Sequence, residues 1–401
     1  MKKMIVFSIV SCLACAATAQ TLQLPQIAAY PKPMKNLSWL CNELLSKGQT
    51  EKVVPPNELD VRTCDISSLD FTAYTAEELA DILTFDTKTK FPPKKKLPKG
   101  FSPKKILKNG KNPGLGVKKL HKKGITGKGV SIAVIDQNML IGHKEYPQNV
   151  VYYEEDQFWQ LGQPASMHAP AVVSIAAGKT AGVAPKAIVF ELAHAFGEEL
   201  PNDRYDARPM AAMLRRVIAL NKQLAPGQKI RVVSISRGFS KDDLGAEEFN
   251  TARQALEKDG VAVFTTNDVF TLSRNHSSDN PENVSSYCRP AYWFEKQDVP
   301  FYNHLQNSVI VPTDFRVIAS PTGTKDYVHY ANGGLSWAVP YAAGLYALGV
   351  QVYPNLTKEI FIQKALETAT LQHCTYRGVD FSTKIVNPAN LLDALNELNL
   401  Q

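Results

Sequence analysis

The sequence predicts an α/β fold, a doubly wound and mostly parallel sheet with helices on both faces. Two observations lead there. Continuous apolar runs at Val130–Ile135, Ala187–Leu192, Ile230–Ile235 and Val261–Thr265 have the length and β-branched content of strands buried on both sides. Stretches at Ala207–Leu224 and Ala246–Lys258 lie between such runs and carry apolar residues at three- and four-residue spacing, as helices covering a sheet do. In a sheet of this kind reactive groups collect at the carboxyl ends of the strands.

The 401 residues are 44% hydrophobic and 21% charged, a globular composition that excludes a disordered chain. The formal charge of +7 suggests nucleic acid until it is located. Fifteen lysines and no Asp or Glu fall between Lys88 and Lys128, so the rest of the chain is acidic. General nucleic-acid binding is thereby disfavoured.

Residues 1–19 read as a secretory signal. Lys2 and Lys3 precede an apolar run from Met4 to Ala16, and Ala17-Thr18-Ala19 forms a small-residue cleavage site. The run is shorter than the ~20 residues that span a bilayer. The mature chain is therefore expected to be secreted or periplasmic, with no integral membrane segment. Ile9-Val10-Ser11-Cys12 resembles a lipoprotein box, but the apolar run before it is very short. Cleavage leaves Cys41, Cys64, Cys288 and Cys374, which allow three disulfide connectivities. Sequence proximity favours Cys41 with Cys64 and Cys288 with Cys374, and free buried thiols are the alternative. No Cys or His spacing suggests a zinc site.

Residues 20–87 form a small N-terminal region, a candidate pro-segment, with short helices at Asn36–Leu45 and Ala76–Ile82 and no evident β-α-β pattern. Residues 88–113, rich in Lys and Pro, read as an exposed linker open to proteolysis. The α/β pattern occupies 114–398.

Three residues in that region have nucleophilic chemistry within reach. Asp136 ends the first strand, where a carboxylate can orient an imidazole. His168 stands at the start of a small-residue apolar helix, whose positive end favours the neutral base. Ser336 opens a mostly apolar helix, GLSWAVPYAAG, with Pro340 inside it. Taken singly, each has an ordinary structural use as a turn, core or cap residue.

Together they resemble the subtilisin-like serine proteases, the subtilases. GLSWAVPYAAG keeps the Gly, Ser, Ala, Pro, Ala and Gly positions of that family's serine motif, and IAVIDQN matches its aspartate strand. The order Asp, His, Ser is the family's order, and GVAPKA and VVSISRG agree as well. The similarity spans about residues 112–395. The departures are Gln137-Asn138 after the aspartate, Ala169-Pro170 beside the histidine, and Leu335 and Trp337 around the serine.

The resemblance implies an exported serine endopeptidase with Asp136, His168 and Ser336 as its triad. It also implies Asn267 as an oxyanion donor and substrate walls from Ser236, Arg237, Gly238, Phe239, Thr265 and Thr266. Protein or peptide substrates and a monomer are expected. No cofactor is identified from the residues, although calcium often stabilises this family. A subtilase-fold binding protein that has lost catalysis is the alternative.

Overall fold

The computed structural model describes residues 29–400 apart from 36, 48–51, 54–57, 147–148, 157–161, 195–198, 201–203, 269, 274–279, 289–307 and 377. The expected signal segment lies outside the described residues.

The leading region forms a β-α-β unit that the sequence pattern did not suggest. Strand β1 (Leu59–Asp60) and strand β2 (Leu83–Asp86) pair in parallel, with helix α1 (Ala76–Ile82) between them. A two-residue strand is too short to leave a hydrophobic period in the sequence. Helix α1 starts with a capping box, in which Thr75 Oγ1 accepts from the Glu78 N–H and the Glu78 carboxylate accepts from the Thr75 N–H. The unit has its own core of Val61, Ile66, Phe71, Leu79, Ile82 and Phe85, braced by the Cys41–Cys64 disulfide.

The linker expected at 88–113 is folded and packed. Lys90 exchanges backbone hydrogen bonds with Cys64 and Ile66, and Phe71 N–H donates to Lys96 O. Ser102 caps helix α2 (Pro103–Asn109), with Pro103 at its first position, and buries Ile106 in the leading unit's core. Most of the lysines point outward, although Lys111 packs over the Tyr327 ring, while Phe91, Leu97, Phe101 and Ile106 point in. The lysines describe mainly the outer face of this segment, while Pro92, Pro98 and Pro113 are buried. Buried Arg316 then donates to Pro113 O at 3.0 Å and Ala181 O at 3.3 Å, which fixes the segment's end to the main body.

The main sheet is parallel throughout. In spatial order it runs β4 (Val150–Asp156), β5 (Ile188–His194), β3 (Ser131–Asp136), β6 (Ile230–Ile235) and β7 (Ala262–Phe264). Helices α4 (Arg208–Gln223) and α5 (Ala246–Lys258) cover one face, and helix α3 (His168–Ala177) lies on the other. Strands β8 (Phe270–Ser273) and β9 (Val309–Pro312) belong to a second sheet. Strands β10 (Arg316–Ala319) and β11 (Tyr327–Tyr330) pair antiparallel, and β11 also pairs with β2 of the leading unit. Helix α6 (Leu335–Val352) follows, buried over nearly its whole length, then helix α7 (Lys358–Thr368). Strands β12 (Thr370–Tyr376) and β13 (Val379–Ile385) complete the second sheet, and helix α8 (Pro388–Leu400) ends the described chain. Cys288 is disulfide-bonded to Cys374.

Two contacts fix α3 and α6 in place. Buried Glu145 accepts from the Thr180 N–H and Oγ1, both at 2.7 Å, and from the Ala181 N–H and Tyr327 hydroxyl, both at 2.8 Å. This carboxylate ties the turn after α3 to β11. Helix α6 approaches α3 closely at Gly344, where a Cβ would stand 2.9 Å from Ala176 O and 2.7 Å from Val183 Cβ. Ala favours helices over Gly by about 1 kcal/mol, so propensity alone would make Gly344→Ala stabilising. Overpacking against backbone dominates, and the substitution should cost about 1–3 kcal/mol in a denaturant titration. A gain in stability would show that the two helices have room to separate.

Candidate active site

Each candidate side chain sits where a regular element ends. Asp136 closes β3, fully buried, and accepts from the Gln137 N–H at 2.8 Å. His168 opens α3, and its Nδ1 lies 2.8 and 3.0 Å from the two Asp136 carboxylate oxygens. That contact leaves Nε2 directed away from the carboxylate. Burial pulls the imidazole's pKa down, but the charge of Asp136 and its hydrogen bond outweigh burial and hold it above the ordinary value.

The two residues that depart from the familiar motif after Asp136 do the tying. Asn138 Oδ1 accepts from the Ser166 N–H at 2.9 Å, Gln137 pairs with the Ser166 hydroxyl, and Ser166 Oγ accepts from the His168 N–H at 2.9 Å. The aspartate strand thus holds the histidine's approach through side chains. Among the described residues the non-glycine positive-φ positions are Thr63, Leu115 and Phe315, so the turn at Gln137-Asn138 does not use the left-handed region.

Ser336 lies at the start of α6, whose N-cap is Gly334. Pro340 has no N–H to give the carbonyl four residues earlier, and that carbonyl belongs to Ser336. It accepts instead from the Ser236 hydroxyl at 2.7 Å, while the Ser336 hydroxyl donates to Ser236 O at 3.3 Å. The end of β6 and the start of α6 are joined by this exchange. The N–H groups of Leu335 and Ser336 precede Trp337, whose N–H makes the first bond back, to Gly334 O.

Beside Ser336 opens a cleft of about 490 Å³, lined by Tyr205, Ser236, Arg237, Gly238, Thr266, Gly334 and Leu335 with Ser336 itself. Arg237 stacks 3.9 Å from the centre of the Tyr205 ring. Of the expected wall residues, Phe239 and Thr265 do not line this cleft. Phe239 packs on Phe249 with ring centres 5.0 Å apart, and buried Thr265 turns inward, its N–H donating to Asp268 Oδ2. Tyr205 was not foreseen, because it comes from a short polar stretch with no motif around it. Asn267 stands in the turn that closes β7, and its amide donates to Phe239 O at 2.7 Å. One of its two amide hydrogens therefore holds the neighbouring loop. Gly238 is required opposite, since a Cβ there would overlap the Asn267 side chain. Among the described residues no group of three or more His, Cys, Asp or Glu side chains is placed to hold a metal ion.

One buried acid was invisible in the sequence. Glu191 on β5 is fully buried, with neither carboxylate oxygen hydrogen-bonded. Burial, and after it the charge of Asp136, pushes its pKa well above the ordinary carboxyl range.

No family model and no curated protein matches the sequence. Among solved structures the chain is similar to the PatG macrocyclase domain at 14% identity, over 70% of this chain and 95% of that one, with a TM-score of 0.50. The PatG macrocyclase in complex with peptide gives the same values. The fold is subtilisin-like. A protease from Pseudoalteromonas arctica is similar at 18% identity over 71% of this chain and 95% of that one, with a TM-score of 0.47. Strand β3 of this parallel sheet ends in Asp136, which meets His168 at the start of α3.

The state of Glu191 has a measurable consequence. Above the unfolded carboxyl's range the unfolded chain releases a proton that the folded chain keeps, so this group lowers stability as pH rises. Glu191→Gln removes that penalty and changes little volume. Its melting temperature should exceed wild type at pH 7, with the difference shrinking toward pH 4. An equal difference at both pH values would mean that Glu191 ionises in the folded protein.

Proposed function

We propose that this protein is a serine endopeptidase that cleaves peptide bonds through an acyl-enzyme. Two observations carry the reading, the Asp136–His168 contact at 2.8 Å and a cleft lined by Ser336. In this mechanism the Ser336 hydroxyl rotates from Ser236 O to His168 Nε2, and its oxygen attacks the substrate carbonyl as the imidazole takes the proton. The C–N bond breaks, the imidazolium returns the proton to the leaving amine, and water repeats the cycle on the ester. Asp136 holds the tautomer whose Nε2 accepts the proton. The charge developing on the carbonyl oxygen is met by the Ser336 backbone N–H and by the second amide hydrogen of Asn267. Substrate lies along the walls formed by Ser236, Arg237, Gly238 and Thr266.

The peptide bound in one of the solved neighbours supports a peptide as the substrate class. Two disulfides are compatible with an oxidising compartment, and no helix among the described residues is long and apolar enough to cross a membrane. Secretion or a periplasmic location, and action as a monomer, belong to the same proposal.

Ser336→Ala should abolish both fluorophosphonate labelling and casein cleavage while leaving the melting temperature nearly unchanged. For subtilisin itself the loss is about 10⁶ in kcat, a value of this fold's type member. Activity within tenfold of wild type would exclude Ser336 as the nucleophile. A wild-type protein that binds peptides but never labels would instead be the binding protein.

The pH profile tests the histidine separately. Because the imidazole's pKa is held above its ordinary value, kcat/KM should rise with pH through a midpoint above about 6.5. Asp136→Asn should move that midpoint downward and cut the rate by about 10⁴, as in the trypsin-like triad. An unmoved midpoint would show that the titrating group is not His168.

A further inference from the structure

We propose that Arg62 of the leading β-α-β unit is a positioning residue for Ser336, acting through Tyr330 and Trp337, so that the unit is a working part of the active enzyme. The inference rests on Ser336 being the nucleophile and adds a residue from outside the expected catalytic region.

The contacts form a continuous path. Asp60 holds the guanidinium as a fork, with Nε to Oδ1 at 2.9 Å and Nη2 to Oδ2 at 2.6 Å. The remaining Nη1 donates to the Tyr330 hydroxyl at 2.8 Å in a buried bond, and the guanidinium lies 5.2 Å from the centre of that ring. The Tyr330 ring meets Trp337 edge-on with centres 5.1 Å apart, and Trp337 directly follows Ser336. Both aromatic side chains are buried, so neither can shift without displacing a neighbour.

Further bonds from the same unit hold the loop between them. Thr84 Oγ1 accepts from the Ala331 N–H at 3.1 Å, and Glu58 accepts from the Asn332 amide at 3.2 Å. Strand β2 pairs with β11 immediately upstream. The turn that presents Arg62 is itself strained, since Thr63 takes φ of 60°. It is fastened on three sides. The Leu37 N–H donates to Thr63 Oγ1, the Thr63 N–H donates to Asp86 Oδ1, and Cys64 is disulfide-bonded to Cys41. A strained, fastened turn that aims one charged group at the nucleophile's loop has the build of a positioning device.

The test uses the full-length protein, measuring the rate of fluorophosphonate labelling, kcat and KM on a peptide substrate, and the melting temperature. Arg62→Ala should slow labelling and kcat by about 10- to 100-fold with KM within about threefold, because a misplaced nucleophile loses rate more than binding. Arg62→Lys should recover part of the loss, since it restores charge but not the planar fork. Tyr330→Phe should lose rate in the same direction. Lys90→Ala, which removes an exposed ion pair to Asp65 in the same unit, should keep wild-type rates. Wild-type labelling by a folded Arg62→Ala protein overturns the proposal. Should that variant fail to fold, Tyr330→Phe decides, and wild-type labelling by it overturns the proposal equally. A wild-type protein that does not label removes the nucleophile, and with it both readings. A labelling wild type with an indifferent Arg62 removes this one alone.

Discussion

The close approach of helices α3 and α6 is the constraint on which the site depends. One helix carries His168 at its first position and the other carries Ser336 at its second. Neither helix is amphipathic in the usual way. Ala169 to Ala177 are buried on all sides, and so are most residues of α6. Small residues let the backbones come near enough that the helix starts share one end of the sheet. Gly344 against Ala176 and Val183 is one such close approach. A larger side chain there would spread the helices, and the spread would be felt at their N-termini.

Charge is rationed around that contact. Asp136 is fully buried with a histidine to answer it, whereas the Glu191 carboxyl on the adjacent strand makes no hydrogen bond and burial holds its pKa well above the ordinary range. Burial raises the Glu191 pKa most, and the charge of Asp136 adds to it. Glu145 shows the remaining way to bury a carboxylate, surrounded by two backbone N–H groups and two hydroxyls. Three buried acids therefore meet three different surroundings: an imidazole, a shell of N–H and hydroxyl donors, and no hydrogen-bond donor at all.

The strands of the main sheet were legible because burial on both faces leaves continuous apolar runs. The positions of Asp136, His168 and Ser336 at element ends were legible for the same reason. The segment 88–113 was misread because composition averages over faces, and its apolar residues alternate with lysines too irregularly to show a period. The direction of the Asn267 amide could not be read, since it depends on where a loop 28 residues away places the Phe239 carbonyl. Arg62 was equally hidden, its partner lying 268 residues further along the chain. Local pattern reports what an element buries, and it is silent about what meets at the ends of elements.

The pairing of β2 with β11 has a consequence for how the chain acquires its structure. Phe85 faces His329 and Asp86 faces Val328 across this ladder, so the leading unit's edge is completed only by residues made some 240 positions later. Contacts this distant in sequence close slowly, because the entropy of the long intervening loop is lost before the strands gain their bonds. A chain emerging from its N-terminus would hold β2 as an open edge, with its hydrogen-bonding groups unpaired, until nearly all of the sheet had followed. The loop that leads into Ser336 is ordered in that same late step, so the candidate site is completed only at the end of folding, when β2 finds its last partner.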